Sequence, residues 1–148
     1  MKIIFLDFDG VLNRFDEPES LRALSKTCMV HMNTLVEKTD SSIVVSSVWR
    51  LLRTVADLRG IMVNAGFKFP AKVIGKTPRL KYDPLTHPER GEEIDAWMKT
   101  YPKEIETFVI LDDDSDMHPH MDKLVQTDSN IGLTPEDVEK CVKILLKN

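Results

Sequence analysis

The chain has no apolar run near the ~20 residues that a membrane-spanning helix needs, and no basic-then-apolar leader precedes its first apolar stretch. A cytoplasmic protein with no membrane association is expected. Cysteine is nearly absent: Cys28 and Cys141 stand far apart and match no metal-ligand spacing. That excludes a disulfide scaffold and a thiolate metal centre, and fits two thiols in a reducing compartment. There are no internal repeats and no low-complexity tract. Charge of one sign is also lacking, since 20 Lys and Arg face 24 Asp and Glu for a net of −4. Bulk charge therefore does not mark a polyanion-binding protein. The distribution is uneven, however. Between Arg50 and Arg90 nine Lys and Arg oppose Asp57, Asp83 and Glu89, a local +6 that leaves −10 elsewhere.

What is present reads as one domain, residues 1–148, large enough to bury roughly two-thirds of its unfolded surface. Ile3-Ile4-Phe5-Leu6 is a short strand buried on both faces, and it runs into Asp7, Asp9 and Gly10. A helix beginning at Glu19 or Ser20 follows, carrying Leu21, Leu24 and Cys28, and its spacing continues through Met32, Leu35 and Val36 to Lys38. Residues 41–47 form a second strand, and a helix is expected from Trp49 to Gly60. A turn at Asn64-Ala65-Gly66 leads to a third strand over 72–75. The loop 76–89 holds Pro78, Pro84 and Pro88, the last suiting the first turn of a helix with Ile94, Trp97 and Met98 on one face. Residues 107–111 and 123–127 read as strands, and Thr134-Pro135-Glu136-Asp137 is a helix start with Thr134 as N-cap. Strands alternating with amphipathic helices predict an α/β fold with a mainly parallel sheet of about five strands.

Three buried strands end in polar or reactive groups: Asp7 and Asp9, Ser46 and Ser47, Asp112 and Asp113. In a parallel sheet all these ends share one edge, so the groups converge there. Carboxylates that close together repel, and an oxygen-rich cluster of this kind suits a hard divalent cation such as Mg2+. Arg90, near a helix N-terminus, supplies a fixed positive charge where phosphate binds well. Lys76 and Arg79 compete for that role, and Asp114 or Asp116 for the outer metal position of Asp113. Ser47 stands in for Ser46 if the strand is shifted by one residue. His118 and His120 read as an exposed loop pair, Trp49 and Trp97 as core, and Arg50 as either a second phosphate ligand or a structural cap.

Asp7-Phe8-Asp9-Gly10-Val11 resembles the first motif of the haloacid dehalogenase-like (HAD) superfamily. Val44-Val45-Ser46 resembles its second, Arg90 stands where the third places Lys or Arg, and Ile110-Leu111-Asp112-Asp113 resembles the fourth. Ser46-Ser47-Val48-Trp49-Arg50, Arg90-Gly91-Glu92-Glu93-Ile94 and Leu111-Asp112-Asp113-Asp114 are similar to a compact subfamily that includes domains of multifunctional RNA-repair proteins. The resemblance implies a Rossmann-like three-layer sandwich with minimal or no cap. It implies a Mg2+-dependent phosphatase in which Asp7 is the nucleophile, forming an aspartyl-phosphate, and Asp9 the general acid and base. Ser46 and Arg90 would bind phosphate. Asp7, the Asp9 carbonyl, Asp112 and Asp113 would hold the metal.

Neither interval between motifs leaves room for a large cap, so an open cleft and an extended substrate are expected, with nucleic-acid end phosphates the leading class. Phosphoproteins and small phosphometabolites are the alternatives. The rival from another class is a non-enzymatic phospho-acceptor like the receiver domains of signalling proteins. Those place the acid pair and the acceptor on different strands.

Overall fold

The computed structural model describes residues 1–17, 23–80 and 89–147. Five strands, β1 (Lys2–Leu6), β2 (Ser42–Val45), β3 (Val73–Lys76), β4 (Thr107–Asp112) and β5 (Leu124–Gln126), form one sheet in the order β3-β2-β1-β4-β5. Every pairing is parallel. The helices are α1 (Lys26–Thr39), α2 (Val55–Asn64), α3 (Arg90–Thr100) and α4 (Pro135–Leu145).

Period-2 alternation divides the apolar residues between two cores. Ile4, Leu6, Ile43, Val45, Val109 and Leu111 face α1, α2 and α4. Ile3, Phe5, Val44 and Ile110 face α3 through Ile94, Trp97 and Met98. The result is the three-layer α/β/α sandwich expected from the sequence. The chain first runs outward from β1 to β3 and then crosses back to β4 on the other side of β1. A crossover of constant hand in the reversed direction must pass over the opposite face, which is why α3 stands apart from the other helices. The reversal also opens a crevice between β1 and β4 at their C-terminal ends, where open α/β sheets take ligands.

Local chemistry sets most boundaries. The Thr134 and Asp137 side chains each bond the other's backbone N–H in a capping box, as the Thr-Pro-Glu-Asp signal predicts. Two helix starts differ from expectation. α1 begins at Lys26, with the Ser25 hydroxyl accepting from Cys28 N–H. The expected start at Glu19 or Ser20, with Leu21, lies outside the described residues, as does Pro88. The helix expected from Trp49 to Gly60 is broken. A 3-10 turn spans Val48–Arg50, Leu52 takes φ +62, and α2 starts only after Thr54, whose capping box with Asp57 pins the N-terminus at Val55. The apolar spacing of Leu52, Val55 and Ala56 runs through this break and so hides it.

Arg50 holds the break together. Its buried guanidinium donates to the carbonyls of Thr77, Ser47, Ser46 and Pro78 and pairs with Glu93 at 3.0 Å. Burial pushes this guanidinium below its ordinary value while Glu93 opposes the shift. Arg50 is thus a structural cation joining the end of β2, the chain after β3 and α3. Cys28 and Cys141 are both buried and free, and burial pushes the Cys141 thiol up to about 12. Trp97 is half-buried and stacks on Tyr101. His118 is exposed as expected, but His120 is half-buried and its ring lies 3.3 Å from Asp95.

Two helical glycines separate propensity from packing. A Cβ on Gly91, in the first turn of α3, would overlap the backbone of Met117 and His118, whereas one on Gly60 of α2 meets nothing. Gly60→Ala is expected to raise stability by ~0.5–1 kcal/mol. Gly91→Ala should lower it by about 1–3 kcal/mol, because backbone cannot step aside as a rotamer can. Urea denaturation of both variants checks this, and equal shifts of the same sign would contradict the packing described.

Candidate active site

The ends of β2, β1 and β4 stand side by side. Beyond the paired residues, Ser46 N–H donates to Leu6 O and Asp7 N–H to Leu111 O, both at 2.9 Å, so the ladder extends one step past each strand. Ser46, Asp7 and Asp112 therefore form a row across the crevice. Each lies an even number of residues after a strand position facing α3 (Val44, Phe5, Ile110), and the N-terminus of that helix brings in Arg90. Arg90 Nη1 is 2.8 Å from Asp112 Oδ2 and 3.3 Å from Asp7 Oδ2.

The carboxyl oxygens of Asp7, Asp112 and Asp113 can all lie within 4.8 Å of one another. Asp7 and Asp112 are buried and Asp113 half-buried. Burial raises the Asp7 carboxyl to about 6, with Arg90 offsetting part of the shift. Burial and then the charge of Asp7 raise Asp112 to about 8 against the pull of Arg90. The two groups titrate as a pair, and the direction is common to both. Burial alone would lower Arg90, but Asp112 and Asp7 outweigh it and hold the guanidinium above its ordinary value. One cation among three carboxylates leaves an excess of negative charge. A buried all-oxygen cluster with such an excess fits a hard divalent cation.

Gly10 is what allows this approach. It takes φ +77, and a Cβ there would collide with the Asp113 side chain. Its carbonyl accepts from Thr127 Oγ1 at 2.7 Å, fastening the loop after β1 to the chain after β5.

Asp9 stands apart from the three clustered acids. Its Oδ1 accepts from Asn13 Nδ2 at 2.9 Å and from the indole Nε1 of Trp49 at 3.0 Å. Expected as core, Trp49 is half-buried and is the partner that sequence reading missed. The Oγ of Ser46 is buried without a hydrogen-bond partner among the described residues. Ser47 is used differently: its hydroxyl accepts from Trp49 N–H and caps the 3-10 turn, so it does not join the row. Lys76 donates to the carbonyls of Arg50 and Arg53 and Arg79 is exposed, leaving Arg90 as the described cation touching the acids. Asp114 is exposed and bonds the N–H of Ser115, while its own N–H donates to Asp112 Oδ1. Asp116 is half-buried; its Oδ1 has no partner among the described residues, and its charge adds to that holding Arg90 protonated.

An open parallel sheet, wound outward from β1 and back, with an acid cluster at its switch point defines the class: a HAD-type Rossmann-like domain. The sequence matches the family described as the HAD domain in Swiss Army Knife RNA repair proteins over residues 3–138, and the chain belongs to that family. No curated protein and no solved structure was found to match it. Membership suggests a hydrolase of the phosphatase type, and such domains generally use a divalent metal. Among the described residues no helix is long and apolar enough to cross a membrane.

The raised carboxyls make a prediction for the metal-free protein. A carboxyl with a raised folded pKa binds its proton more readily folded than unfolded. It therefore stabilises the fold at low pH and loses that contribution as pH climbs from its ordinary 3.8 through its folded value, about 8 for Asp112. Asp112→Asn removes the penalty. Without divalent ions the variant should melt about 4 °C above the unaltered protein near pH ~8, a shift worth ~1 kcal/mol or slightly more, and the gap should narrow steadily as pH falls and close only near the ordinary carboxyl value of 3.8. A variant that melts lower near pH ~8 would mean that Arg90 fully compensates the ionised pair.

Proposed function

We propose that this domain is a Mg2+-dependent phosphoester hydrolase working through an aspartyl-phosphate on Asp7. The observation that carries the reading is the unlike setting of two acids separated by a single residue. Asp7 lies in the cluster with Asp112 and Asp113 and touches Arg90. Asp9 lies outside that cluster and is held by neutral donors. In this reading a cation held by the cluster keeps Asp7 ionised, while Asp9, outside it, accepts both hydrogen bonds on Oδ1 and carries the mobile proton on its other oxygen.

In this reading an Asp7 carboxylate oxygen attacks phosphorus, the bond to the leaving oxygen breaks, and that oxygen takes the proton of Asp9. A water then attacks the phosphorus of the acyl phosphate while Asp9 recovers a proton from it, freeing phosphate and Asp7. Arg90 faces the charge that develops on the phosphoryl oxygens, and the unpartnered Ser46 hydroxyl is available to donate to one of them. Mg2+ held by Asp7, Asp112, Asp113 and the Asp9 carbonyl would neutralise the acids and polarise the phosphoryl group.

For the substrate, nucleic-acid end phosphates remain the preferred class. The support comes from the family, whose domains occur in RNA repair proteins. The basic stretch supports it less than its net charge suggests. Arg50 pairs with Glu93, Lys72 with Asp40, Arg59 with the Val73 carbonyl and Lys76 with two further carbonyls.

p-Nitrophenyl phosphate should be hydrolysed only with a divalent cation. Asp9→Asn is expected to slow turnover by roughly 10²–10⁴, and Asp7→Asn to remove it. Among natural phosphoesters, RNA and DNA bearing 5′- or 3′-phosphates should outperform a panel of phosphometabolites. Equal or better rates on the metabolites would remove the nucleic-acid reading. Phosphorylation of Asp7 without turnover would turn the assignment to a phospho-acceptor.

A further inference from the structure

The two hydrogen bonds on Asp9 fall on the same oxygen. An indole N–H can only donate. The Asn13 amide is oriented independently, because Gly10 N–H donates to its Oδ1 at 2.8 Å, which turns Nδ2 toward Asp9. Asp9 Oδ1 therefore accepts twice, and a proton on it would face two N–H groups. Oδ2 receives no hydrogen bond from the described residues.

We propose that Trp49, together with Asn13, is a positioning device that keeps the Asp9 proton on Oδ2 and holds that atom toward the leaving oxygen of the phosphoester. The inference rests on the phosphatase reading above and adds to it a residue and an atom. When the leaving oxygen takes the Oδ2 proton, the carboxylate that results already has two donors on its other oxygen. When water is deprotonated, the proton returns to Oδ2. No reorganisation of Asp9 is needed between the two half-reactions.

Trp49 is well fixed for this. Its backbone N–H bonds the Ser47 hydroxyl at 3.2 Å and its ring meets Phe8 edge-on at 5.5 Å. The Arg53 guanidinium lies over the ring, 5.5 Å from its centroid. The turn that follows β2 thus reaches across to the loop that follows β1. This accounts for the break in the expected helix: a continuous helix from Trp49 would dispense with the 3-10 turn that presents the indole.

A merely structural tryptophan and a positioning one differ in leaving-group dependence. Protonation of the leaving oxygen matters for a poor leaving group and hardly at all for a good one. Trp49→Phe removes the N–H and keeps an aromatic ring. Incorporating benzothienylalanine at position 49, in which sulfur replaces the ring N–H, preserves the shape should Trp49→Phe not fold. With Mg2+ present, kcat/KM reports the steps through leaving-group departure. For phenyl phosphate it is expected to fall roughly tenfold, part of the 10²–10⁴ that general acid catalysis supplies, and for dinitrophenyl phosphate by less than about twofold. In an Asp9→Asn background the same change should add no further leaving-group dependence. An equal loss on both esters, or no loss on either, would overturn the inference while leaving the phosphatase reading intact. No hydrolysis of either ester by the unaltered protein would overturn both.

Discussion

Everything at the sheet edge depends on the negative charge that Arg90 only partly cancels. Its guanidinium reaches Asp112 and Asp7 together, yet burial still lifts both carboxyls above the ordinary range. Replacing one buried acid with an apolar residue would relieve that strain at once, as is common for buried ion pairs. The fold instead gathers a third acid, Asp113, over a glycine whose missing side chain makes room for it. A site that concentrates like charge in this way has the chemistry to hold a divalent cation, which HAD domains generally use.

The sheet makes the concentration possible. Parallel register places Ser46, Asp7 and Asp112 in one row, and the pleat directs them to the face that α3 covers. Among the described residues the return crossover sets α3 as the one α-helix on that face, and its first residue, Arg90, arrives at the row. Asp9, one step into the loop, escapes the row and finds a different environment supplied by Asn13 and Trp49. Two residues of backbone therefore separate a carboxyl crowded by other acids from one held by neutral donors.

Much of this was legible in the sequence, because buried strands that end in acids are costly unless something uses them. The α/β class followed from the alternation of short apolar runs and amphipathic stretches, and the last helix from its Thr-Pro-Glu-Asp start. What escaped notice depends on long-range contacts. Trp49 looks like core until its indole N–H is seen on Asp9, a residue forty positions away. Arg50 reads equally well as a phosphate ligand or a structural cap, and only the chain after β3 and Glu93 closing around it decide for the cap. The broken helix did leave a local sign, the Thr54-x-x-Asp57 capping box, but an apolar spacing that ran straight through it was the louder signal. Net charge likewise overstated the basic surface, because several of its members are committed to carbonyls and acids nearby.

The division of labour between Asp7 and Asp9 is tested most directly by trapping. The Asp9→Asn variant, mixed with Mg2+ and dinitrophenyl phosphate carrying a radiolabelled phosphoryl group, does not need a general acid for the first step but lacks the base for the second. Acid quenching followed by peptide mapping should find close to one labelled phosphoryl group per chain, on Asp7, persisting far longer than in the unaltered protein. A quenched variant with no label, or with label on any residue other than Asp7, would contradict the account.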